Sequence, residues 1–240
     1  MLYATGDLHG DLSRFKQKEW KKLRRGDTLI VCGDFGFVWD GSKREQRILR
    51  WISRRRYRVL FVEGTHDNLD LLATYPLGEF CGGQARRLGE RLWYLCRGEC
   101  YELEGKRLFA LGGGESADAE LRIPGVSWWE NELPAPAELA HARETLERCG
   151  YQVDYLITHE CSATLRSFLD MDTARINPLG AFLEEVAARC RFQSWCFGCY
   201  HLDRTIPGGY NALWNRLLPL GGEETDRAKR KNDREHASPR

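Results

Sequence analysis

Asp7 and His9 stand two residues apart, past the apolar run Leu2-Tyr3-Ala4 and between Gly6 and Gly10. A carboxylate oxygen and an imidazole nitrogen form a mixed ligand set that suits manganese, iron or zinc. The same design recurs along the chain. Leu29-Ile30-Val31-Cys32-Gly33 leads into Asp34, and Val59-Leu60-Phe61-Val62 leads into Gly64-Thr65-His66-Asp67. Tyr155-Leu156-Ile157-Thr158 ends in His159, and Trp195-Cys196-Phe197-Gly198 ends in Cys199-Tyr200-His201. Short apolar runs bounded by glycine read as buried strands. Open α/β sheets bind ligands beyond the carboxyl ends of such strands. Five ends carrying Asp or His, with four of the six histidines among them, predict one shared polar site.

The elements that must position this site follow from patterning. Ser42 and Glu45 have capping-box spacing, so a helix starts there with Ile48, Trp51 and Ile52 as its buried stripe. Residues 11–25 place Leu12, Phe15 and Leu23 among charges, which predicts an amphipathic surface helix. Further helices are predicted over 69–74, stopped before Pro76, and over 136–149, with Gly150 as the stop. Another spans 178–190, with Leu179, Phe182, Leu183 and Val186 on one face. Residues 108–111 predict a buried strand running into Gly112-Gly113-Gly114, which fits neither phosphate-loop pattern. The long excursion 115–134, containing Trp128-Trp129, reads equally as a substrate wall or as aromatic residues capping the core, and 204–220 predicts a returning strand pair. A single domain over 1–220 is then followed by 221–240, which has nothing apolar to bury beyond alanine and predicts a disordered charged tail.

Composition narrows the partners. A chain of 240 residues can bury one sizeable core. With 36 Lys and Arg against 35 Asp and Glu, net charge offers no global argument for nucleic acid or a membrane. Arg54-Arg55-Arg56 reads as cations at a helix C-terminus, where the dipole favours them. No apolar run approaches a membrane span, and the chain enters its first strand without a signal peptide. Nine cysteines, mostly inside apolar runs, read as reduced core residues of a cytoplasmic protein. Cys196 and Cys199 do not read as a redox pair, because residues three apart on a strand face opposite ways.

In order and spacing, Gly6-Asp7-Leu8-His9-Gly10, Gly33-Asp34, Gly64-Thr65-His66-Asp67, His159 and Gly198-Cys199-Tyr200-His201 resemble the calcineurin-like metallophosphoesterases. The resemblance implies a four-layer α-β-β-α sandwich, two mixed sheets face to face and flanked by helices. It implies a hydrolase with a binuclear centre of manganese, iron or zinc, cleaving phosphomonoester or phosphodiester bonds with a metal-activated water. Carried over residue by residue, Asp7, His9 and His201 hold the first metal, Asp34 bridges, and His159 holds the second. His66 stands near the leaving oxygen as general acid or transition-state stabiliser, with Asp67 orienting it.

Two positions depart from that pattern. Thr65 stands where the family has Asn, and Cys199 where it has the first His of its last motif. Both fall on the second metal. Three readings stay open: a Cys199 thiolate that favours zinc beside a weak Thr65 hydroxyl, a mononuclear or slow enzyme, or a catalytically silent domain that binds metal or a phosphorylated ligand.

Overall fold

Successive side chains of a strand point to opposite faces, and that alternation decides the layering. Leu2, Ala4, Ile30, Cys32, Leu60 and Val62 join Leu108, Ala110, Tyr155, Ile157 and Cys196 in one buried cluster. Their neighbours Leu29, Val31, Val59 and Phe61 face the other way, against Phe15, Trp20, Leu49 and Ile52. Phe109, Leu111, Leu156, Trp195 and Phe197 do the same on the opposite side, against Leu139, Leu146, Phe182 and Val186. Three apolar layers therefore separate four structural ones, with the central core between two sheets.

The computed structural model describes residues 1–170 and 177–221. From residue 222 onward the expected tail lies outside the described residues. The chain runs β1 (Leu2–Thr5), β2 (Thr28–Cys32), α1 (Lys43–Ser53), β3 (Arg58–Val62), α2 (Leu69–Thr74), β4 (Leu77–Phe80), β5 (Gly83–Arg87), β6 (Leu92–Leu95), β7 (Glu99–Leu103) and β8 (Lys106–Leu111). It continues through α3 (Pro136–Arg148), β9 (Tyr155–Thr158), α4 (Ala163–Asp170), α5 (Pro178–Arg189), β10 (Ser194–Phe197), β11 (Arg204–Ile206), β12 (Tyr210–Ala212) and β13 (Leu218–Leu220). One sheet has the order β13-β1-β2-β3-β6-β5-β4, the other β11-β12-β10-β9-β8-β7. The strands β1, β2, β3 and β6 are parallel neighbours, as are β8, β9 and β10. This is the expected mixed α/β sandwich. Among the described residues no helix is long and apolar enough to cross a membrane.

Local signals account for most elements. Ser42 Oγ accepts from Glu45 N–H at 3.2 Å and starts α1, while the Glu45 carboxylate accepts from the N–H groups of Trp39, Asp40 and Gly41. The buried stripe of α1 centres on Leu49 and Ile52, with Ile48 and Trp51 half-buried beside it. The helix expected over 11–25 is instead two 3-10 turns, Arg14–Lys16 and Trp20–Lys22. Phe15, Trp20 and Leu23 are all buried, yet on one continuous helix at about 100° per residue they would not share a face. Asp11 turns the chain into the first of them, accepting from Ser13 N–H and Oγ–H. Within 204–220, β11 and β12 form the expected antiparallel pair, but β13 crosses to the other sheet and pairs with β1.

Candidate metal centre

All five predicted strand ends meet at one edge of the sandwich. Asp7 and His9 follow β1, Asp34 follows β2, His66 follows β3, His159 follows β9, and Cys199 and His201 follow β10. The first three strands belong to one sheet and the last two to the other, so the site straddles the central core. Glycine is required for that approach: a Cβ at Gly64 would lie 2.1 Å from Asp34 Oδ1, and one at Gly198 2.1 Å from Asp7 Oδ1. His9, Asp34, Cys199 and His201 have φ of 46°, 36°, 66° and 49°. Left-handed backbone at non-glycine residues costs about 1–3 kcal/mol each and gathers at functional sites.

The side chains form a dense cluster. His9 Nε2 lies 2.8 Å from His201 Nε2 and 3.5 Å from Asp34 Oδ2. Asp7 Oδ2 accepts from Cys199 N–H at 2.9 Å and lies 3.3 Å from His201 Nε2. His159 Nε2 is 3.8 Å from Asp34 Oδ1. Three groups have ligand atoms mutually within 4.8 Å: Asp7, His9 and His201; His9, Asp34 and His66; and Asp7, Asp34 and His159.

These residues fit a divalent cation on two grounds. Asp7 Oδ1 and His159 Nδ1 face each other at 3.4 Å, both buried and neither in a hydrogen bond. The charge balance of the site is also compatible with a cation. Burial would push Asp7 up, but contacts with His159 and then His201 hold it below the usual carboxylate range. Burial opposes ionisation of Asp34 too, and the charge of His159 together with the bond from His66 holds it well below that range. Burial disfavours a charged His159, yet Asp34, Cys199 and Asp7 draw its pKa well above the imidazole value. Contact with Asp7 raises His201, whereas burial lowers His9. Two buried carboxylates thus attract positive charge onto neighbouring imidazoles, a role a metal ion can take over. Carboxylate plus imidazole suits manganese, iron or zinc.

Asp7, His9, Asp34 and His201 converge as the sequence predicts, and His159 joins them through Asp7 and Asp34. Thr65 and Cys199 line the cavity beside the cluster, and the Cys199 thiol belongs to none of the three ligand groups. Burial also pushes the Cys199 thiol up, against the pull of His159. Asp67 does not orient His66 as expected. It accepts from Phe35, Gly36 and Gly64 N–H at 3.0, 2.8 and 3.2 Å, stitching the loops after β2 and β3 together. Burial beside Asp34 pushes its carboxyl well above the usual range despite those donors. His66 is held by Asp34 Oδ2 at 2.9 Å from its Nδ1, by Thr65 Oγ1, and by Arg122, whose Nη2 lies 3.2 Å from His66 Nε2.

Arg122 escapes a reading of motifs because it sits in the 115–134 excursion, where no periodicity marks it; the length of that loop is its only signal. The excursion is well fastened. Glu132 accepts from Ser116 N–H and Oγ–H, and Arg97 Nη2 donates to the carbonyls of Asn131 and Glu132. Arg97 Nε in turn donates to the fully buried Glu63 at 2.5 Å. Two other supports were also not legible from motifs. Trp214 stacks on His201 at 5.5 Å, and buried Arg14 donates to the Asp7 carbonyl at 3.0 Å. His9, Asp34, His66, His159 and His201 line a cavity of about 380 Å³ together with Arg122 and Arg166.

No family model matches the chain, and no curated protein matches it. Among solved structures, one similar chain is the protein of unknown function AQ665 from Aquifex aeolicus. It is 17% identical, with 80% of this chain and 88% of that chain covered and a TM-score of 0.36. A likeness of that size says nothing about what this chain does.

Proposed function

We propose that this protein hydrolyses phosphomonoester or phosphodiester bonds with divalent cations held by Asp7, His9, Asp34, His159 and His201, in the manner of the metallophosphoesterases it resembles. The observation that carries this reading is the convergence of these five side chains, with Asp7 and Asp34 each shared between two ligand groups. Bound there, the cations would polarise phosphoryl oxygens and lower the pKa of water. The chain supplies the rest. Arg122 donates to a phosphoryl oxygen, leaving His66 Nε2 to face the departing alkoxide. Asp34 fixes the His66 ring through Nδ1, so Nε2 is the atom that delivers the proton. The nine free cysteines suit a reducing, cytoplasmic location.

Cys199 favours a second reading, a domain that binds metal or a phosphorylated ligand without turnover, since its thiol belongs to none of the ligand groups. One assay separates the two: p-nitrophenyl phosphate and bis-p-nitrophenyl phosphate with added manganese. Hydrolysis that Asp34→Asn abolishes, and for which Arg122→Met raises KM, supports the enzyme. Absence of turnover with manganese, iron and zinc alike would leave the binding domain as the function.

A further inference from the structure

Overall charge balance hides a strong segregation. Residues 1–58 hold 15 of the 36 Lys and Arg but only 7 of the 35 Asp and Glu. Between residues 16 and 56, twelve Lys or Arg are exposed, against two exposed acids, Glu19 and Asp40. These cations share one layer. The 3-10 turns and α1 lie side by side over the same face of the seven-stranded sheet, with Phe15 5.8 Å from Trp51 and Arg56 donating to the Lys21 carbonyl. On α1 and just past it, Lys43, Arg47, Arg50 and Arg54 recur every three or four residues and make one stripe along about 16 Å of helix.

The density of cations without acidic partners sets this face apart. Among the described residues none of the twelve is in an ion pair. Exposed cations elsewhere among the described residues are few and scattered along the chain, as Arg87, Arg148, Arg189, Arg191, Arg204 and Arg216, of which Arg189 pairs with Glu185. A face that concentrates unmatched cations raises its own repulsion and favours a polyanion.

We propose that this face binds the phosphodiester backbone of a nucleic acid, without sequence preference. Seven of the twelve cations are arginine, whose guanidinium fork matches phosphate oxygens. The stripe is long enough to meet several successive phosphates, which follow one another about every 3.4 Å of duplex axis on one strand. An anionic membrane is disfavoured because surface helices of that kind insert apolar side chains. The large exposed hydrophobics here are Met1, Leu77, Leu121, Ile123, Val126, Phe168 and Trp214, all outside residues 16–56. The inference does not depend on the hydrolase reading, and its test is run in chelator so that hydrolysis plays no part.

The test is fluorescence anisotropy with a labelled mixed-sequence RNA strand and a labelled DNA duplex, titrated with the full chain. Arg47→Glu/Arg50→Glu/Arg54→Glu is compared with a control of equal charge change on other surfaces, Arg148→Glu/Arg191→Glu/Arg204→Glu. Binding should weaken at least tenfold in the first and less than twofold in the second, and each lost phosphate contact should lower the salt slope by about 0.7–0.9. Circular dichroism checks folding, and the corresponding triple Gln variant replaces the Glu variant if that one misfolds. Equal weakening in both variants would show that net charge alone acts, and would overturn the proposal. So would absence of nucleic-acid binding at low salt, or binding to phosphatidylserine vesicles in its place.

Discussion

Replacing Arg97 by methionine removes the cation that keeps a carboxylate tolerable in the core. Glu63 is fully buried, and its Oε2 already lacks a hydrogen bond. Its Oε1 depends on Arg97 Nε at 2.5 Å. Deleting one partner of a buried pair costs about 3–5 kcal/mol, because the other charge is stranded. For a domain of this size each kcal/mol lowers Tm by about 2–4 °C, so Arg97→Met should melt about 6–20 °C below the wild type. Removing both charges in Glu63→Leu/Arg97→Met should recover most of that loss, since apolar replacement of a buried pair is often near neutral. The double variant still lacks the bonds from Arg97 to the Asn131 and Glu132 carbonyls. It should therefore stay loose in the excursion that carries Arg122, and any KM for a phosphate ester should remain raised while stability returns. Urea and thermal unfolding read the first effect, and steady-state kinetics the second. If Arg97→Met costs less than about 1 kcal/mol, or the double variant is no more stable than the single, then a stranded Glu63 is not what the pair prevents.

Two further outcomes follow from other parts of the molecule. Thr65→Asn with Cys199→His supplies a carbonyl oxygen and a neutral nitrogen beside His159, so manganese bound per chain should rise toward two, measured by elemental analysis after gel filtration; the two changes share one site and should not add, and unchanged stoichiometry would mean these residues do not limit the second cation. Burial would raise Asp154, but the Arg107 N–H and the Lys106 ammonium outweigh it and hold its folded pKa down. Asp154 therefore contributes stability that is present above its unfolded pKa and lost as pH falls through the lower folded value. Asp154→Asn should melt below wild type at neutral pH, with the gap closing in acid beneath the ordinary carboxylate range, and a gap that persists there would contradict the assignment.

The strand ends were legible because glycine, aspartate and histidine announce themselves after apolar runs, and neighbouring parallel strands bring such ends together without further instruction. That logic found Asp7, His9, Asp34, His66, His159 and His201. It could not find Arg122, Arg97 or Trp214, whose roles come from long-range contacts that leave no local period. It also misjudged residues 11–25, where apolar spacing suggested a helix but burying Phe15, Trp20 and Leu23 together needed broken turns. Asp67 shows the limit of carrying a role by resemblance: its neighbours in space are the backbone amides of another loop. The basic face was invisible to the total charge and became plain only once residues 16–25 and α1 were seen side by side.

The pairing of β13 with β1 has a consequence for how the chain is made. Leu2 and Ala4 find their antiparallel partners only in Leu220 and Leu218. At about 5–20 residues per second, β1 leaves the ribosome roughly 10–40 s before the strand that covers its outer edge. Over that interval an open edge can recruit a strand from another chain. Asp7 waits nearly as long for His201. The nascent protein therefore passes through a stage in which the first sheet is largely formed, its rim uncovered and its carboxylates unmatched. The speed of the final closure, more than the strength of the finished contacts, would then govern how much of the protein escapes aggregation.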